Sequence, residues 1–193
     1  MSELLFRKPN YDKEAVNCLA KACGLSAVTA GALLCRGVLT AEDAKAFLSL
    51  DGRSFFNPFL LPDMEQAVER LEKAAEQGEH LAVFGDYDAD GVTATTLLYS
   101  YFSERGLPVT FYIPNRLDEG YGLNEPAIRK LAEQGVTLIV TVDCGVACRD
   151  EVALAQSLGV DVIITDHHEC PPTLPDAVAV IDPKRPDSNY TFS

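Results

Sequence analysis

Seven side chains able to bind a cation or carry a proton fall in three short clusters of this sequence. GDYDADG (85–91) sets Asp86, Asp88 and Asp90 at alternating positions, VTVDCG (140–145) holds Asp143, and TDHHE (165–169) holds Asp166, His167 and His168. Any one of these aspartates alone is more often a helix cap or a turn former. Gathered at one place without a cation, the carboxylates would repel one another, raise their own pKa values and weaken the fold. A divalent metal removes that difficulty. Mixed carboxylate and imidazole ligation suits Mn²⁺ better than Mg²⁺, which prefers all-oxygen shells. The donors suffice for two ions, and Asp143 as a bridge would hold them about 3.5–4 Å apart, the spacing of two-metal phosphoester chemistry.

The elements that must position these residues are legible from residue 61 onward. Short apolar runs at 81–84, 109–113, 137–142, 160–165 and 177–181 are separated by helix-like stretches at about 92–105, 124–134 and 148–158. Apolar runs without polar alternation are buried on both faces, which predicts an α/β fold, a parallel sheet with helices on both faces. Open sheets of this kind bind ligands beyond the carboxyl ends of their strands. The three clusters follow three such ends, so they converge on one crevice.

Residues 1–60 are expected to form a helical appendage and connector, and 61–193 the α/β domain. Asp12, Ser26 and Thr40 are candidate caps of three short helices, the last two ending near Arg36 and Leu50. DGRSFFNPFLLPD (51–63) reads as a connector packed by its aromatics, and Asp63 as the cap of a helix closed by Gly78. The 193 residues carry a net charge of −13, with 47% hydrophobic and 23% charged side chains. That balance excludes a disordered chain and a nonspecific polyanion coat. The acidic excess lies in 61–193, which has 23 acidic against 9 basic residues. Six cysteines without a signal-peptide core are expected to be free thiols, and the protein to be cytoplasmic, with no membrane partner.

Three other motifs compete. An EF-hand loop starting at Asp86 would need a glutamate where Leu97 stands, and a helix where a strand precedes it. The Asp88–Val92 segment also resembles the nucleophile loop of haloacid-dehalogenase-like phosphatases, but its strand stops early and Asp166, His167 and His168 are left idle; it stands as the runner-up. Cys144, Cys148, His168 and Cys170 match no standard zinc spacing, so buried or helix-face thiols are expected instead.

GDYDADGVTAT, PNRLDEGYGLN, VTVDCG and TDHHE, in this order, resemble the DHH phosphoesterase superfamily over about residues 50–193. Within it they are most similar to the long exonucleases that digest single-stranded DNA 5′→3′. The resemblance implies a Mn²⁺- or Mg²⁺-dependent nuclease of recombination and repair, with two ions in the complete enzyme and single-stranded DNA and repair proteins as partners. Carried over by motif, Asp88, Asp90, Asp143 and His167 are the expected direct ligands. Asp86 and His168 are expected to stand behind the metal or face the substrate, and Asp166 to orient an imidazole. His168 would donate to a nonbridging phosphoryl oxygen. Arg116 is the candidate phosphate clamp with Asn115 beside it, and Tyr121 a candidate base-stacking ring.

The family also carries a metal-binding aspartate well downstream of the DHH motif, and then a second domain that grips nucleic acid. Only 25 residues follow His168 here, and Asp182 in VIDPK lies too soon to be that ligand. The chain is therefore expected to be the N-terminal part of a longer enzyme and weakly active or inactive alone. The alternatives are a relative acting on short oligonucleotides or small phosphates, and a noncatalytic metal-bearing interaction module.

Overall fold

In the computed structural model, which describes residues 12–49 and 56–190, packing separates Met1–Phe56 from Asn57–Ser193, a break inside the expected connector. The described residues of the first unit form three capped helices. Asp12 accepts from Glu14 N–H ahead of α1 (Lys13–Cys23), Ser26 from Thr29 N–H ahead of α2 (Ala27–Cys35), and Thr40 from Asp43 N–H ahead of α3 (Ala41–Leu48). Each cap satisfies an amide that the first helical turn leaves unbonded. Val16, Leu19, Ala30, Leu33 and Ala44 form the small core between them. The expected α3 end at Leu50 lies outside the described residues.

Phe59 and Asp63 depart from the expectations for the connector. Residues 51–55 of the connector lie outside the described residues, and Phe59 is 56% exposed rather than packed. The described part is a 3₁₀ turn (Pro58–Leu60), with Asn57 Oδ1 accepting from Phe59 N–H and Pro58 O from Leu61 N–H. Asp63 does precede α4 (Met64–Gln77), yet its carboxylate makes no cap bond. It lies in the left-handed region (φ 55°) and accepts from Val180 N–H at 3.0 Å and from Arg185 Nη1, tying α4 to the far strand.

The second unit is a five-stranded, wholly parallel sheet in the order β2-β1-β3-β4-β5. Its strands are β1 (Leu81–Phe84), β2 (Val109–Tyr112), β3 (Leu138–Val142), β4 (Asp161–Thr165) and β5 (Ala179–Ile181). Between them run α5 (Ala89–Glu104), α6 (Glu125–Glu133) and α7 (Arg149–Ser157). Alternate strand residues feed two cores. Leu81, Val83, Leu138, Val140 and Ile163 pack with Ala67, Ala74 and Phe102 of α4 and α5, whereas Ala82, Phe84, Ile139, Val162 and Ile164 pack with α6 and α7. Burial on both faces is why no polar alternation appears in these strands. The chain winds one way from β1 to β2 and the other way from β3 onward, so the topological switch opens a crevice between the ends of β1 and β3.

α5 starts earlier than the apolar pattern predicts, at Ala89 rather than near Val92, because Asp88 Oδ1 caps it by accepting from Asp90 N–H (2.8 Å) and Gly91 N–H (3.0 Å). The aspartate loop is thereby a helix N-terminus.

At the opposite end of the sheet, Arg70 on α4 donates to both carboxylate oxygens of Glu79 and, through Nε, to Asp161. The Arg70 bond holds the Glu79 carboxyl below its ordinary pKa. A depressed carboxyl contributes stability that is present above about pH 4.5 and is lost as pH falls through the folded-state pKa. Glu79→Gln is expected to cost about 2 kcal/mol at pH 7 and to flatten the acid limb of stability below pH 4.5, read by urea unfolding across pH.

Candidate metal centre

Strand geometry delivers the three clusters to one place. β1 ends at Phe84, and Asp86 follows it, 3% exposed, with Oδ1 buried and without a hydrogen-bond partner. An orphaned carboxylate oxygen in the interior is costly unless something else satisfies it. Asp88 is exposed at the mouth of α5, and the Gly91 N–H bond lowers its pKa and keeps it ionised.

At the end of β3 the chain turns sharply through Asp143 (φ 59°) and Gly145 (φ 113°). The buried Thr141 hydroxyl pins this turn by donating to Cys144 O at 2.7 Å. A left-handed aspartate is uncommon and persists where its surroundings over-determine it. Burial first, then the charges of Asp90 and Asp88, push the Asp143 carboxyl above its ordinary range. A divalent cation beside these carboxylates would relieve that repulsion.

At the end of β4, Asp166 is saturated. Its Oδ2 accepts from Val146 N–H at 3.0 Å, and its Oδ1 accepts from His167 N–H, His168 N–H and His168 Nδ1 at 2.7 Å. It locks the two loops together and orients the His168 ring, which commits Nδ1 and leaves Nε2 for a cation or a phosphoryl oxygen. The Asp166 bond raises the His168 pKa. The His167 and His168 rings stack at 4.8 Å, and His167 Nε2 lies 3.7 Å from Asp143 Oδ1.

Among the described residues, donor atoms come within 4.8 Å of one another in two groups that share Asp143: Asp86, Asp88 and Asp143, and Asp143, His167 and His168. Asp86 and His168, which motif alignment set outside the ligand shell, are thus inside the donor groups, and Asp90 is in neither. Asp90 sits in the first turn of α5 and lines a groove of about 430 Å³ with Asp143, Asp166 and His167. The donor chemistry, the orphaned Asp86 oxygen and the raised Asp143 carboxyl all fit a divalent metal. Cysteines enter neither group; the Cys144 thiol instead faces Phe84 O at 3.8 Å. Asp182, buried past the end of β5, accepts from Lys184 N–H through Oδ1, while its Oδ2 has no partner. It too is outside both groups.

The 115–122 loop places the remaining candidates. Asn115 braces the turn through its side-chain oxygen, which accepts from Leu117 N–H at 3.0 Å; that bond does not use the Nδ2 donor a phosphate would meet. Arg116 is exposed and lies over the Tyr87 ring at 5.2 Å, a cation–π contact that brings its guanidinium to the aspartate loop. Tyr121 turns its hydroxyl inward rather than offering only a stacking face: it donates to Asp143 O at 3.0 Å and stands 3.2 Å from His168 Nδ1. The roles of Tyr87, Thr141 and the Tyr121 hydroxyl had no sequence signal, because each depends on a partner distant in the chain or on the turn geometry.

Residues 80–193 match the DHH family, N-terminal domain. The single-stranded-DNA-specific exonuclease RecJ of Bacillus subtilis is 43% identical over 186 residues, which is 96% of this chain and 23% of that protein. RecJ of Escherichia coli is 41% identical over 131 residues, 67% of this chain and 23% of that protein. Among solved structures, exonuclease RecJ bound to manganese shares 36% identity and a TM-score of 0.63 over 69% of this chain and 34% of its own. RecJ in complex with Mn²⁺ from Thermus thermophilus shares 29% identity and a TM-score of 0.66 over 92% of this chain and 24% of its own. The chain spans about a quarter of the length of the curated relatives it matches.

Proposed function

Because this chain belongs to the DHH family, we propose that it carries the metal centre of a Mn²⁺- or Mg²⁺-dependent phosphodiesterase, an exonuclease of recombination and repair acting on single-stranded DNA. The observation that carries this reading is the pair of donor groups joined through Asp143 at the strand ends. The similarity to manganese-bound RecJ structures supports it. Asp86, Asp88, Asp143, His167 and His168 would hold the ions, with Asp90 at the groove wall. Bound metal would supply Lewis-acid stabilisation of phosphoryl charge and a water of lowered pKa.

The chain's own residues do the rest. Asp166 fixes the His168 ring so that its free nitrogen meets either a cation or a nonbridging oxygen without reorganisation. Arg116, preplaced over Tyr87, binds a phosphate of the strand. Asp88 stays in place because its carboxylate caps α5, and the Asp86 backbone is packed closely against Gly91 in the first turn of that helix. A reducing, cytoplasmic setting belongs to the same reading and is supported by six free thiols.

Turnover of four substrates with Mn²⁺ tests this: an end-labelled single strand, its duplex, a dinucleotide and pyrophosphate. The expected result, however slow, is EDTA-sensitive release of mononucleotides from the single strand, at least about tenfold faster than from duplex. Faster turnover of the dinucleotide or of pyrophosphate would move the chain to the small-substrate branch. No Mn²⁺ binding at all would remove the phosphodiesterase reading.

A further inference from the structure

Tyr121 belongs to the loop between β2 and α6, yet its hydroxyl reaches the ends of both β3 and β4. It donates to the backbone carbonyl of Asp143 (3.0 Å) and lies 3.2 Å from Nδ1 and 3.4 Å from Nε2 of His168. The phenol ring meets the imidazole edge-on at a centroid distance of 5.7 Å. Half of the residue is exposed, but the hydroxyl is on the inner side.

Both of its neighbours need holding. The Asp143 backbone is in a left-handed conformation, uncommon for any residue but glycine. The His168 ring is anchored by Asp166 at one nitrogen only, and the hydroxyl closes against it from another side. The rest of the loop is braced separately, with Glu119 accepting from Tyr112 and from Asn115 N–H, and Asn115 O accepting from Glu119 N–H. Tyr121 is therefore the described hydrogen-bond link between this braced loop, which also carries Arg116, and the donor groups.

Resting on the metal reading above, we propose that Tyr121 is a positioning residue of the metal centre. Its hydroxyl latches the Asp143 carbonyl beside the His168 ring and couples cation binding to the order of the 115–122 loop. Coupling of this kind is reciprocal: if the latch favours the cation, the cation favours the latched loop by the same factor.

Mn²⁺ titration by calorimetry, with amide hydrogen exchange, on the 193-residue chain and its Tyr121→Phe variant tests this. Loss of a supporting hydrogen bond behind a metal ligand is expected to weaken Mn²⁺ binding about tenfold. Metal-free melting temperatures should agree within about 2 °C, since only one hydroxyl is removed. Mn²⁺ should slow exchange at Leu117 and Glu119 in the wild type and not in the variant. Equal Mn²⁺ affinity in the two proteins overturns the proposal, as does equal slowing of exchange. A metal-free melting temperature that falls in step with affinity also overturns it, by making the hydroxyl a general structural bond. No Mn²⁺ binding by the wild-type chain overturns the metal reading, and this proposal with it.

Discussion

In the Asp143→Asn variant, Mn²⁺ is expected to leave the melting temperature where it stands without metal. Asp143 is the carboxylate common to both donor groups, so its loss disables both. A ligand present at a thousand times its dissociation constant stabilises the folded state by about 4 kcal/mol, and that whole increment should vanish. The metal-free protein should move the other way. Burial and the charges of Asp90 and Asp88 raise the Asp143 carboxyl, so the folded state prefers it protonated, and its ionisation costs stability as pH rises through the folded-state pKa. Asparagine removes that charge and tolerates the left-handed backbone. The metal-free variant is therefore expected to be as stable as the wild type at pH 7, or more so. Asp143→Ala should lose the metal response as well, and in addition about 1 kcal/mol through backbone strain. Melting curves of the three proteins with and without Mn²⁺ decide the matter. Persistent Mn²⁺ stabilisation of Asp143→Asn would remove Asp143 from the shared position.

Gly91→Ala is expected to damage both the fold and the metal centre. A Cβ at Gly91 would stand 2.6 Å from both the backbone N and the backbone O of Asp86. Neither atom can rotate aside as a side chain would, so the start of α5 must move away from the end of β1. Overpacking of this kind costs about 3 kcal/mol. The displacement also separates Asp88, whose carboxylate caps Gly91, from Asp86 beneath it, so Mn²⁺ affinity should fall together with stability. Gly106→Ala is the matched control: nothing lies within 4 Å of its Cβ, and only its positive φ of 75° opposes the change. It should cost about 1 kcal/mol and leave Mn²⁺ binding intact. Urea midpoints and Mn²⁺ titrations of both variants report the difference, and a Gly91→Ala protein within about 1 kcal/mol of wild type would show that the close approach imposes no constraint.

Much of the architecture was legible because burial writes itself into a strand. LAVF and TLIVTV carry no polar alternation, since each is covered by helices on both faces. Helix starts were legible where a side chain caps its own helix, as at Ser26 and Thr40, and illegible where the apparent cap serves another partner. Asp63 looks like a cap and is instead bound to Val180 and Arg185, more than a hundred residues away. Phe59 departs for a related reason: its type suggested packing, but it is exposed on a 3₁₀ turn held by backbone bonds and the Asn57 side chain.

The sequence by itself determined the chemistry of the centre. Aspartates and histidines directly after apolar runs must arrive at the carboxyl edge of a parallel sheet, because each covered strand delivers its next residue there. Only the tertiary structure decided which atoms meet. Alternation in GDYDADG treats Asp86, Asp88 and Asp90 alike, but the start of α5 at Ala89 puts Asp90 on a helix, makes Asp88 its cap and leaves Asp86 buried with a free oxygen. Likewise the three residues of the Asp-His-His motif are adjacent in the chain and take different tasks. Asp166 spends both oxygens on loops and on one ring, which turns His168 into an oriented donor and leaves His167 beside Asp143. Residue types set what a cation could find at this edge; hydrogen bonds between segments distant in the chain set which of those donors remain free to hold it.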